Sequence, residues 1–122
     1  MKKVIFLVED DLFLSKLSKK KFELAGFEVE YFKNGNQVLD SAKNNQPAVI
    51  ILDLLMPEKD GFQVLKELRE NIETKDVPVL VVTAVDSYED REKTAALGAK
   101  GYFVKGTAKL EDVIAAVEQF SN

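Results

Sequence analysis

A chain of 122 residues, 46% apolar and 31% charged, has the size and balance of one globular domain built around a single core. It carries a net charge of −4 and has neither cysteine nor histidine, which excludes disulfides, thiol chemistry and imidazole bases, and leaves only oxygen ligands for a metal. An acidic chain gains nothing from counterion release, so no direct nucleic-acid partner is expected. No apolar run nears the roughly 20 residues of a membrane span, so no membrane partner is expected either.

The first run, "KVIFLV" at 3–8, follows two lysines in the manner of a secretory leader. It is too short and ends on acids, so it reads as a strand; the absence of cysteine suits a cytoplasmic setting, which is the expectation. A helix over 12–25 follows, with Leu14, Leu17, Phe22 and Ala25 expected to face the core and the Lys21 stem lying along apolar surface. Its lysines, Lys16, Lys19, Lys20 and Lys21, read as a solvated face, with a docking patch for an acidic partner as the sharper alternative. Gly26 suits the end of that helix.

The second run, "FEVEYF" at 27–32, alternates and reads as a strand near an edge. A short helix at about 35–43 follows, with Asn34 as its expected cap. The third run, "AVIIL" at 48–52, and the fourth, "VPVLVV" at 77–82, lack alternation, as does the first; strands covered on both faces of a parallel sheet look this way. Between them Leu65, Leu68 and Ile72 mark one face of a third helix. "SYEDREKTAALG" at 87–98, capped by Ser87 and closed by Gly98, has little apolar material and should be the most weakly held helix. The fifth run, "GYFV" at 101–104, precedes a helix expected to be capped by Thr107, with Leu110, Val113, Ile114, Val117 and Phe120 on one stripe. Five strand–helix units predict an α/β fold, a doubly wound five-stranded parallel sheet with helices on both faces, occupying 1–122 as one domain.

Such sheets place their chemistry outside the carboxyl ends of the strands. Glu9, Asp10 and Asp11 follow the first run, Asp53 the third, Thr83 the fourth and Lys105 the fifth. Strands about 4.8 Å apart can bring these groups together. Two carboxylates 4 Å apart repel by roughly 4 kcal/mol at an effective dielectric of 20. Lys105 offsets part of this, and a divalent ion such as magnesium, which keeps waters and awaits a phosphate, offsets the rest. A rigidly held carboxylate is also a nucleophile able to form an acyl phosphate.

"VEDD" after the first strand, "LDLLMPEKDG" after the third, "VVTA" at the fourth and "GYFVKG" at the fifth together resemble the receiver domain of two-component response regulators, over essentially the whole chain. The resemblance implies a flavodoxin-like strand order of 2-1-3-4-5. It implies Asp53 as phosphoacceptor, magnesium held by Glu9, Asp10, Asp53 and the Leu55 backbone carbonyl, and Thr83 and Lys105 on the phosphoryl oxygens. Asp11 falls outside the acidic pair and suits a helix start. Thr83 and Tyr102 match the switch positions: Thr83 would be drawn to the new phosphoryl group and Tyr102 would turn inward from solvent. That would alter the face of the fourth helix, fifth strand and fifth helix for a downstream protein or a homodimer. The implied donor is a histidine kinase or His-phosphotransfer protein in a phosphorelay. No reaction beyond the chain's own phosphoryl transfer and autodephosphorylation is expected.

Two departures from the family pattern stand out. Gly106 replaces the usual proline after the lysine, which favours a trans Lys105–Gly106 bond. Leu55 and Val85, two residues beyond Asp53 and Thr83, are apolar and cannot orient a hydrolytic water, so a long-lived phosphoryl group is expected. Three rivals fit less well. A haloacid-dehalogenase-like phosphatase needs an aspartate where Leu55 stands. A flavodoxin needs a hydroxyl-rich loop where "EDDLFL" stands. A pseudo-receiver, docking a partner without phosphorylation, would ordinarily have lost a pocket residue.

Overall fold

The computed structural model describes residues 2–121, with the Phe13 side chain left aside. Ten elements alternate in chain order: β1 (Val4–Val8), α1 (Leu12–Leu24), β2 (Glu28–Phe32), α2 (Val38–Asn45), β3 (Val49–Leu52), α3 (Gly61–Glu70), β4 (Val79–Thr83), α4 (Tyr88–Ala96), β5 (Gly101–Val104) and α5 (Leu110–Phe120). The strands form one parallel sheet in the order β2-β1-β3-β4-β5. The three runs without alternation are the three inner strands, and alternating β2 lies at an edge.

Strand alternation divides the core between the two faces of the sheet. On one face Phe6, Val8, Ile50 and Leu52 pack with Val38 and Ala42 of α2 and with Val64, Leu65 and Leu68 of α3. On the other Ile5, Leu7, Val49, Ile51 and Leu80 pack with Phe22 of α1 and with Val113 and Val117 of α5. Among the described residues no helix is long and apolar enough to cross a membrane.

Several local expectations need correcting. Leu14 and Leu17 are 39% and 48% exposed, and Ala25 is exposed as well. The side of α1 turned to the sheet carries the expected Phe22, but with Ser15 and Ser18 in place of the leucines. Burial of Ser15 is tolerable because its hydroxyl donates to the Leu12 carbonyl at 2.8 Å, leaving no orphaned polar group. Ile72 lies beyond the end of α3 and is 80% exposed. The second helix starts at Val38; Asn34 caps no helix, and its side-chain oxygen instead accepts from the Asn36 N–H in a turn. Lys109, not Thr107, precedes α5.

Other expectations agree. Ser87 caps α4 by accepting from the Asp90 N–H, and Asp11 caps α1 by accepting from the Leu14 N–H. Gly26 and Gly98 take the positive φ expected after helix ends. Of the nine residues of α4 only Thr94 is buried. This helix is fastened by cations instead. Arg69 of α3 donates to the carbonyls of Leu97 and Gly98 just past its end, and to those of Lys75 and Val77 before β4. Lys93 sits 4.3 Å from the centre of the Phe62 ring on α3.

Candidate functional site

Backbone pairing continues past the strand ends and fixes the loops that carry the acids. The Glu9 N–H donates to the Phe32 carbonyl, the Asp53 N–H to the Val8 carbonyl and the Lys105 N–H to the Thr83 carbonyl. Tyr31 adds a 2.5 Å hydrogen bond to the Glu9 carbonyl. Residues far apart in sequence are therefore held side by side at one edge of the sheet.

Carboxylate oxygens of Glu9, Asp10 and Asp53 lie within 4.8 Å of one another. Glu9 and Asp53 are 6% and 4% exposed, whereas Asp10 is open to solvent. The Lys105 ammonium bridges the buried pair, donating to Asp53 Oδ2 at 2.8 Å and to Glu9 Oε1. The other Asp53 oxygen accepts from the Leu55 N–H at 3.1 Å. Thr83 is fully buried; its hydroxyl receives only a long 3.5 Å contact from the Val85 N–H.

Burial pushes the Glu9 carboxyl up to about 7, with Asp53 adding to the rise and Lys105 opposing it. Burial pulls the Lys105 ammonium down, but its hydrogen bonds to Asp53 and Glu9 and their charges outweigh that and hold it above its ordinary value. The donor set, three carboxylates with one ammonium, suits a small hard cation better than any soft metal.

Gly61 closes the third-strand motif, and backbone contact explains why a glycine stands there. A Cβ there would stand 2.3 Å from the Asp53 carbonyl oxygen and 2.7 Å from the Leu54 Cα, so only glycine lets α3 start this close to the loop bearing Asp53. Its N–H donates to the Leu54 carbonyl, and Asp60 caps the helix by accepting from the Gln63 N–H. An Asp-Gly pair at a helix start was the available signal. Gly106 has φ of 84°, a conformation closed to proline, and no cis bond occurs among the described residues, in line with the expected trans link.

Tyr102 departs from expectation. Its ring does not stand free in solvent: it is half-buried, and its hydroxyl donates to the Val85 carbonyl at 2.6 Å. The Arg91 guanidinium lies 4.6 Å from the ring centre. Burial pushes the phenol up from its ordinary value, with Asp90 adding to the effect. Beside the acids, a hollow of about 300 Å³ opens between α1 and α5, walled by Leu14, Leu17, Phe22, Leu110 and Val113.

With five parallel strands in this order and three acids and a lysine at their carboxyl ends, comparison with known proteins is decisive. The family model for the response regulator receiver domain matches residues 5–118. The chain belongs to the receiver domain family of response regulators, the phosphoacceptor modules of two-component signalling. It is 35% identical over 111 residues to the response regulator MprA of Mycobacterium sp. strain KMS, a match that covers 91% of this chain and 47% of that protein. The chain thus spans about half the length of such curated relatives. The chemotaxis protein CheY4 of Vibrio cholerae is 28% identical, with a TM-score of 0.89 over 98% of this chain and 99% of that one. The receiver domain of the sensor histidine kinase PA1611 from Pseudomonas aeruginosa PAO1, solved with magnesium coordinated in its active site cleft, shares the fold at 24% identity. Its TM-score is 0.88, over 99% of this chain and 98% of that one.

Proposed function

We propose that Asp53 is the phosphoacceptor of a magnesium-dependent receiver domain spanning residues 1–122, with a phosphohistidine of a histidine kinase or His-phosphotransfer protein as donor. The observation that carries this reading is the Lys105 ammonium seated on both Asp53 and Glu9. Asp53 is thereby held rigidly and next to a cation, and a phosphoryl group attached to it meets that cation at once. An Asp53 carboxylate oxygen attacks phosphorus in line, the bond from phosphorus to the donor imidazole breaks, and its electron pair returns to the imidazole nitrogen. The chain has no histidine of its own, consistent with a donor on another protein.

Glu9, Asp10, Asp53 and the Leu55 carbonyl would hold the cation, which supplies positive charge for the phosphoryl oxygens. The close grouping of the three carboxylates and the PA1611 receiver's magnesium support this assignment. Lys105 holds a phosphoryl oxygen, and the Thr83 hydroxyl, committed to no strong partner, is available to donate to another. The exposed Leu12, Leu14 and Leu17 beside the acids give a donor protein an apolar surface to seat on. Displacement of Thr83 then alters the α4–β5–α5 face for a downstream partner.

The test is intact mass after treatment with acetyl phosphate and magnesium. One added phosphoryl group on the wild type, and none on Asp53→Asn, supports the reading. An unchanged wild-type mass favours the phosphorylation-independent docking module.

A further inference from the structure

Among the described residues two other than glycine have positive φ, Gln46 and Glu58. Gln46 ends α2, where such a conformation is common. Glu58 has φ of 68° in the middle of the loop between β3 and α3, where a glycine would sit without strain. What glutamate offers there is its side chain: the carboxylate accepts from Asn36 Nδ2 at 2.9 Å. Asn36 stands in the turn after β2, and that turn is firmly seated. Its N–H donates to Asn34 Oδ1, and a Cβ on Gly35 would stand 2.4 Å from Val64 Cγ2 on α3 and 3.1 Å from the Lys59 carbonyl oxygen. One residue beyond Glu58, Lys59 pairs with Glu67 of α3 at 2.9 Å. The β2–α2 turn and α3 thus grip the tip of a loop whose base is closed by the Gly61 N–H on the Leu54 carbonyl. Inside that loop lies Leu55, whose N–H donates to Asp53 Oδ1 at 3.1 Å.

We propose that Glu58 is a positioning residue for the cation site: through Asn36 it holds the left-handed turn at the loop tip and so keeps Leu55 in place beside Asp53. The part played by the Leu55 carbonyl rests on the magnesium reading above; the holding of the loop does not. Glu58 acts by its hydrogen bond rather than by its charge. A glycine at this position would reach the same backbone shape with less strain, but nothing would keep the loop there.

Two substitutions separate the bond from the charge. Asn36→Ala removes the bond and leaves the carboxylate, whereas Glu58→Gln keeps an accepting oxygen and removes the charge. The first arm titrates the whole chain calorimetrically with magnesium chloride. Asn36→Ala and Glu58→Gly should bind about two- to fivefold more weakly than the wild type, the scale of one exposed hydrogen bond. Glu58→Gln should bind as the wild type does, and Asn36→Ala placed on Glu58→Gly should add nothing further. Unchanged affinity in Asn36→Ala overturns the proposal. Equal weakening in Glu58→Gln and Glu58→Gly overturns it too, because charge alone would then be acting. The second arm needs no metal and follows exchange of the Leu55 amide by NMR. It should quicken in Asn36→Ala and Glu58→Gly and stay at the wild-type rate in Glu58→Gln; no quickening overturns the proposal. A wild type that takes up no magnesium sinks the cation reading and leaves this arm to judge the hold on the loop.

Discussion

Asp53 carries two demands that its neighbours meet separately. Its charge is balanced by Lys105 and its backbone position by Gly61. Replacing Lys105 with Ala leaves two buried carboxylates facing each other, so acetyl phosphate labelling of Asp53 should fall at least tenfold when followed by mass. Gly61→Ala tests the second demand. The added methyl has only backbone to meet, so strain of about 1–3 kcal/mol is expected, seen as a lower denaturation midpoint in urea. Glu9 adds a pH dependence. Its folded value of about 7 exceeds the ordinary carboxyl value of 4.5, so the folded chain keeps a proton that the unfolded chain releases. The stability this contributes without metal is fully present below about 4.5 and is lost as pH rises through about 7. A cation needs the carboxylate, so magnesium affinity should move the other way, strengthening through the same window when followed by calorimetric titration. Of the site, Glu9, Asp10, Asp53 and Lys105 were legible because a parallel sheet must present its strand ends along one edge. Gly61 was not, since a glycine forced by backbone contact looks in sequence like any glycine in a turn. Nor were the contacts of Tyr102 with Arg91 and Val85, which no spacing rule links to it.

Elements were legible in proportion to how strongly apolar pattern alone dictates them. The strands could be placed because unbroken runs of branched residues have few other homes. The face of α1 could not: its leucines and lysines spread around the helix, and buried Ser15 beneath it is satisfied by the helix's own Leu12 carbonyl. Starts such as those of α2 and α5 lack a side-chain cap and leave no local mark. The exposed leucines of α1 now support a sharper expectation. Leu17→Ala should barely change thermal stability, since its side chain is half in water, whereas Phe22→Ala should cost about 3–5 kcal/mol. The same Leu17→Ala should slow phosphoryl transfer from a phosphohistidine donor several-fold while labelling by acetyl phosphate proceeds, separating docking from chemistry.

For the molecule as a whole, the sheet order places β1, β3 and β4 inside and packs them on both faces. Their amides should exchange slowest, and those of α4 fastest among the helices, because that helix has one buried side chain and otherwise hangs on cations. An exchange map showing α4 as protected as α3 would contradict this account.

Arg69 gives that contrast a direction. By gripping the carbonyls of Leu97 and Gly98 it ties the far end of α4 to α3 and to the approach of β4, so any tilt of the helix would turn about that end. Nine residues make a lever arm of about 13 Å, and a small tilt at the pin becomes its widest excursion at Tyr88, on the rim nearest the acids. A partner reading the state of Asp53 at the tip of α4 would therefore meet an amplified displacement, while one bound beside Gly98 would feel almost none.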